Sequence, residues 1–220
     1  MSGLAAQLGE DAPVQRDAVK RRLRLAISNL IVEDWRLLTV QAQERDNPVS
    51  ERSVAFALGW HLRALMERRW DIDCEYNRAD SGLAARVKRH PNQPAAPLGT
   101  PVTPDLIVHR RGDTGTENNL LVLELKTNEE RQTAGLGERG NRGGSLDSVT
   151  RTLLAHEYKH GVLLDLGVTP ERVAPTWTWV DEHGTANKTA ECVYGSSPPL
   201  EALITRGREE EQRRYAPLAP

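Results

Sequence analysis

The sequence predicts a mixed α/β domain, and three observations carry that expectation. Residues 47–70, NPVSERSVAFALGWHLRALMERRW, hold a helical stripe. Two apolar runs, PDLIVHR and NLLVLELKT, flank the turn-rich RGDTGTEN, which is the pattern of a β-hairpin with a somewhat long loop. The elements follow one another as helix, strand, hairpin, helix and strand, an order that belongs to mixed α/β proteins.

Taken in chain order, the first element is a helix from Asp17 to about Ile31, with Val19, Leu23, Leu25, Ala26, Leu30 and Ile31 near helical spacing. Residues 35–43, WRLLTVQAQ, fit a helix or a short strand equally well. The next helix is capped by Ser50 and carries Val54, Leu58, Leu62 and Leu65 on one stripe, with Phe56 and Trp60 adding bulk. WDIDCEYNR alternates Ile72, Cys74 and Tyr76 with Asp71, Asp73 and Glu75, as a half-buried strand does. Residues 77–100, rich in Pro, Ala and charge, read as a loop.

After the hairpin, the charged and Gly-rich stretch 128–146 reads as a flexible loop. A helix is expected from Leu146 to about Glu157, with Leu146, Val149, Leu153 and Leu154 on one face. HGVLLDLG, TWTWV and ECVYG read as strands, and LEALITRGREEEQRRY as a polar C-terminal helix interrupted or ended near Gly207. This divides the chain into an N-terminal helical extension (1–47), a central domain (48–200) and a C-terminal helix and tail (201–220).

The 220 residues are enough for one domain with a real core, and a formal net charge of -2 neither requires nor excludes nucleic acid. Basic clusters at Lys20–Arg24, Arg63–Arg69 and Arg86–His90 read singly as solvated surface. No apolar stretch reaches membrane-spanning length and the N-terminus lacks the order of a secretory signal. The two cysteines, Cys74 and Cys192, have no metal-motif spacing. The expectation is a reduced, cytoplasmic protein with no membrane partner.

The chemistry is carried by NNLLVLELKT. In a strand, residues two apart share a face, so Leu120, Val122, Glu124 and Lys126 lie on one side and Leu121, Leu123 and Leu125 on the other. A buried charge without a partner is costly. Glu124 and Lys126 therefore either satisfy each other as an ion pair or belong to a site. The first hairpin strand opens with Pro104-Asp105, which a suitable register brings beside Glu124. Two adjacent carboxylates repel unless one takes a proton or a cation sits between them. Oxygen ligands of this kind suit Mg²⁺, which takes only one or two carboxylates from a protein and keeps several waters. A lysine on the same face can position or deprotonate a coordinated water, or steady charge developing on a phosphate.

PD followed by ELK in an apolar strand resembles the PD-(D/E)xK nuclease superfamily, and in particular its mostly uncharacterised bacterial members. The phrases SERSVAFALGWHL, DCEYNR, PDLIVHRRG, NNLLVLELKT and EYKHGVLLDL all fit, so that the resemblance spans roughly residues 48–168. It implies a restriction-endonuclease-like core of α-β-β-β-α-β order, with a mixed central sheet flanked by helices. It also implies a metal-dependent nuclease with DNA preferred to RNA, with Mg²⁺ as cofactor, Mn²⁺ as a substitute, and a homodimer. Carried over, Asp105 and Glu124 are metal ligands together with the backbone carbonyl of Leu125, and Lys126 is the catalytic base or water-orienting group. Glu51 matches the additional acid that holds a second metal or a water, although the helix dipole alone also favours an acid there. The segment from Asp147 to Arg151 takes no role.

Two other readings stand beside this one. A nuclease-like fold could serve as a binding or regulatory module without turnover; the intact acid–acid–lysine set speaks against it. HEYKH, His156 to His160, fits the HExxH pattern of zinc proteases. Against that stand the charge of Lys159, the strand expected from Gly161, and the lack of an evident third ligand.

Overall fold

The computed structural model describes residues 14–43, 50–74, 103–112, 115–128, 139–169, 172–195 and 198–215. Three helices come first: α1 (Arg16–Glu33), α2 (Trp35–Gln43) and α3 (Glu51–Leu65). Strands β1 (Asp71–Cys74), β2 (Leu106–His109) and β3 (Asn119–Asn128) follow, then α4 (Arg139–His156) and β4 (His160–Val168). The chain goes on through β5 (Thr176–Asp181), the two-residue β6 (Glu191–Cys192) and α5 (Pro198–Tyr215). Among the described residues the six strands form one mixed sheet in chain order. All neighbours are antiparallel except β3 and β4, which are parallel and joined through α4. The α/β class expected from the sequence is therefore what the chain adopts. No helix among the described residues is long and apolar enough to cross a membrane.

Alternation along the strands divides the core. Leu121, Leu123 and Leu125 of β3, Val162, Leu164 and Leu166 of β4, and Trp177 and Trp179 of β5 pack with α1, α2, α3 and Ile204 of α5. Ile107, Val122, Leu163 and Val180 on the other face pack with Val149 and Leu153 of α4. A fully buried leucine contributes roughly 1.5–3 kcal/mol, and a one-residue slip of β3 would exchange its two faces. The leucines thus fix which way Glu124 and Lys126 point.

Several expectations are refined. Residues 35–43 are helix. Helix α1 packs on the core: Val19, Leu23, Ala26, Ile27, Leu30 and Ile31 lie in the same cluster as the sheet. Helix α4 starts at Arg139, inside the stretch expected to be a loop; its first residues, RGNRGGS, carry no apolar periodicity that could announce a helix. Helix α5 runs through Gly207 without a break. A Cβ there would lie 2.5 Å from the Ile31 carbonyl oxygen, so this glycine allows α5 to approach the α1–α2 corner. The expected loop at 77–100, and Glu75 and Tyr76, lie outside the described residues.

Candidate active site

Strand pairing brings the acids together. Leu106 of β2 faces Leu123 of β3, and one further step of that register sets Asp105 opposite Glu124. The Asp105 carboxylate accepts a hydrogen bond from the backbone N–H of Leu125 at 2.7 Å. That bond uses the amide between Glu124 and Lys126, while the Leu125 side chain anchors the strand in the core. Asp105 thus closes the β2–β3 pair at the point where the site residues emerge.

Glu124 is 8 % exposed. Burial first, and then the charge of Asp105, push its carboxyl up to about 7. Burial likewise raises Asp105, and the Leu125 N–H bond and Lys126 only partly offset it. Two carboxyls this close repel each other when both are ionised, and a proton or a cation relieves that repulsion.

Lys126 Nζ donates to Glu51 Oε2 at 2.8 Å, with side chains 23 % and 38 % exposed. Glu51 sits in the first turn of α3, whose N-cap Ser50 accepts a hydrogen bond from Ser53 N–H at 3.3 Å. The in-strand ion pair between Glu124 and Lys126 is thus not the arrangement formed. Lys126 reaches to a different element, and Glu124 turns to Asp105 and α4.

From α4, Ser148 Oγ donates to Glu124 Oε1 at 2.9 Å. Ser148 lies in the segment to which sequence reasoning gave no role. Its only signal was position, one residue before Val149 on the face that meets the sheet. Gly161 on β4 permits this approach, because a Cβ there would meet Val149 at 2.7 Å and Leu153 at 2.9 Å.

The four expected side chains form two pairs, Asp105 with Glu124 and Lys126 with Glu51, and the charges of Lys126 and Glu51 both act on Asp105. Among the described residues there is no ready-made group of three or more His, Cys, Asp or Glu side chains arranged as a metal cage. The fit to Mg²⁺ rests on two adjacent carboxylates, which matches the number of protein carboxylates this ion takes. A cleft of about 330 Å³ between α1, α2 and α5, lined by Trp35, Gly207 and Tyr215 among others, lies on elements that carry none of these residues.

HEYKH does not form the helical zinc motif. His156 ends α4, Glu157 adopts a left-handed backbone (φ 54°), and His160 opens β4. The histidines are therefore not one helical turn apart. His160 packs edge-on against Trp179, and burial lowers its basicity. His109 on β2 is buried and bonded to Asp73 at 2.7 Å.

Comparison of the chain with protein-family models, with curated proteins and with solved structures finds no match.

Proposed function

We propose that the chain is a metal-dependent phosphodiesterase of the PD-(D/E)xK type, hydrolysing nucleic acid, with DNA preferred to RNA. The observation that carries this reading is the Asp105–Glu124 pair, two carboxyls buried against each other at the end of a hairpin, with Lys126 alongside. The order α3-β1-β2-β3-α4-β4 and the parallel β3–β4 pair support a restriction-endonuclease-like core. A homodimer able to cut both strands goes with the same reading.

Asp105 and Glu124, with the Leu125 carbonyl, would hold Mg²⁺ or Mn²⁺. Bound there, the ion would neutralise phosphate charge and make water more acidic. The residues themselves do the rest. Leu125 N–H orients the Asp105 carboxylate. Glu124 would act as a ligand in its ionised form. The Lys126 ammonium, held by Glu51, is a donor that orients the attacking water and stabilises charge on the phosphate oxygens. Water oxygen bonds to phosphorus, its proton passing to solvent, as the bond from phosphorus to the leaving oxygen breaks. That oxygen takes up a proton from solvent or from a neighbouring donor, so that no net proton is gained or lost.

The test is digestion of single- and double-stranded DNA and RNA with Mg²⁺, with EDTA as control. Asp105→Ala, Glu124→Ala and Lys126→Ala should each abolish cleavage while the circular dichroism spectrum stays that of the folded protein. Undiminished cleavage in any one of them rejects the assignment. Nucleic-acid binding without digestion by the parent protein would leave a binding module.

A further inference from the structure

The exposed face of α3 carries a stripe of alternating charge and aromatic surface. Arg52, Phe56, Trp60 and Arg63 are all exposed and fall at spacings of four, four and three residues, within a quarter-turn of one another. Phe56 is 65 % exposed and Trp60 72 %, whereas Trp35, Trp70, Trp177 and Trp179 are all buried. A helix has no packing reason to present two large rings four residues apart to solvent while Val54, Leu58 and Leu62 fill its core face. Arg68, also exposed, continues the basic character just past the helix end.

The stripe lies on the solvent face of α3, whereas Glu51, the partner of Lys126, falls on the side that carries Val54 and Leu58. Rings flanked by guanidinium groups match a chain that offers flat π-faces and phosphates together. Exposed aromatic side chains stack on unpaired bases, and arginines meet the phosphate backbone between them. A paired duplex keeps its base faces inside and gives the rings nothing to stack on.

We infer that α3 is a docking platform for single-stranded nucleic acid, with bases stacked on Phe56 and Trp60 and phosphates on Arg52 and Arg63. The inference goes beyond the phosphodiesterase reading, and its test does not depend on cleavage.

Fluorescence anisotropy with labelled oligothymidylate in EDTA reads binding alone. Trp60→Ala should weaken binding about five- to hundredfold, Phe56→Ala should act in the same direction, and Trp60→Phe should restore most of the loss. Arg63→Ala should weaken binding and lower the slope of log affinity against log salt by about one. Matched oligouridylate and duplex DNA are the comparison arms; the single-stranded forms should bind more tightly than the duplex. Sedimentation velocity of the protein alone completes the set. Unchanged affinity in both aromatic variants, or duplex binding as tight as single-strand binding, overturns the inference. So does a dimer that dissociates on Trp60→Ala, because the rings would then face a second copy of the chain. Tight single-strand binding with no Mg²⁺-dependent cleavage would instead overturn the phosphodiesterase reading and leave the platform standing.

Discussion

Two charged clusters sit at opposite ends of strand β2, on the order of 13 Å apart along the chain, and they are resolved in opposite ways. At the far end, Asp73 accepts hydrogen bonds from His109 and from the guanidinium of Arg111. Asp71 accepts the backbone N–H of Arg111. Burial alone would raise the Asp73 carboxyl, but the Arg111 and His109 bonds outweigh it and hold it below the usual range. At the near end, among the described residues, three carboxyl groups, Asp105, Glu124 and Glu51, face the ammonium of Lys126, and the two most buried carboxyls are both raised. Among the described residues one cluster is internally satisfied and the other carries more acid than base. The difference separates a structural ion pair from the pair proposed to hold a cation.

The largest contrast is in turnover. Asp105→Ala, Glu124→Ala and Lys126→Ala should lose cleavage altogether, whereas Asp73→Asn should keep it. The next contrast is in stability without metal. Glu124→Gln relieves a buried carboxyl facing another and should stabilise the metal-free protein at pH 8 by about 1–3 kcal/mol. Asp73→Asn strips charge from the partner of His109 and Arg111, and should cost about 1–2 kcal/mol, discounted for the exposed guanidinium. Urea denaturation of both variants at that pH measures the two signs.

The pH dependence follows from the same shifts. The Glu124 carboxyl, raised to about 7 in the folded chain, binds a proton more readily there than in the unfolded chain. Its contribution to stability is full below its ordinary pKa of 4.5 and is lost as pH rises toward 7. The lowered Asp73 does the reverse. Its contribution is present above the ordinary 3.8 and is lost as pH falls through the folded value. Parent protein and Glu124→Gln should therefore differ more in denaturation midpoint at pH 8 than at pH 5. Equal differences at both would place the raised carboxyl elsewhere.

A smaller effect is expected at Ser148. Its hydroxyl lowers the Glu124 carboxyl, so Ser148→Ala should move that group higher still. The acid limb of the pH–rate profile should shift to higher pH, with activity near pH 6.5 down about tenfold and the alkaline plateau nearly kept. A uniform loss across all pH would mark Ser148 as merely structural.

Much of this was legible in the chain. Alternation in NNLLVLELKT placed Glu124 opposite Leu121, Leu123 and Leu125, because a strand buried on both sides must sort its residues by parity, while Leu120 at its start joins those leucines against the parity expected. The hairpin and Pro104-Asp105 located the second carboxylate. What the sequence could not carry was long-range contact. Nothing local ties Lys126 to Glu51, 75 residues away, or Ser148 to Glu124. The Gly-rich opening of α4 lacks periodicity, and Gly207 resembles a breaker until the approach of α5 to Ile31 is seen. The bond of His109 to Asp73 likewise joins two strands far apart in the chain.

The central claim is that a divalent ion takes the place of the proton that relieves the repulsion between Asp105 and Glu124. Isothermal titration of Mn²⁺ at pH 6, in buffers of different ionisation enthalpy, measures this directly. Close to one proton should be released per ion bound by the parent protein, with affinity rising about tenfold from pH 6 to pH 8. Glu124→Gln should bind more weakly and release almost none. Failure to bind Mn²⁺, or the same proton release in parent and variant, would contradict the account.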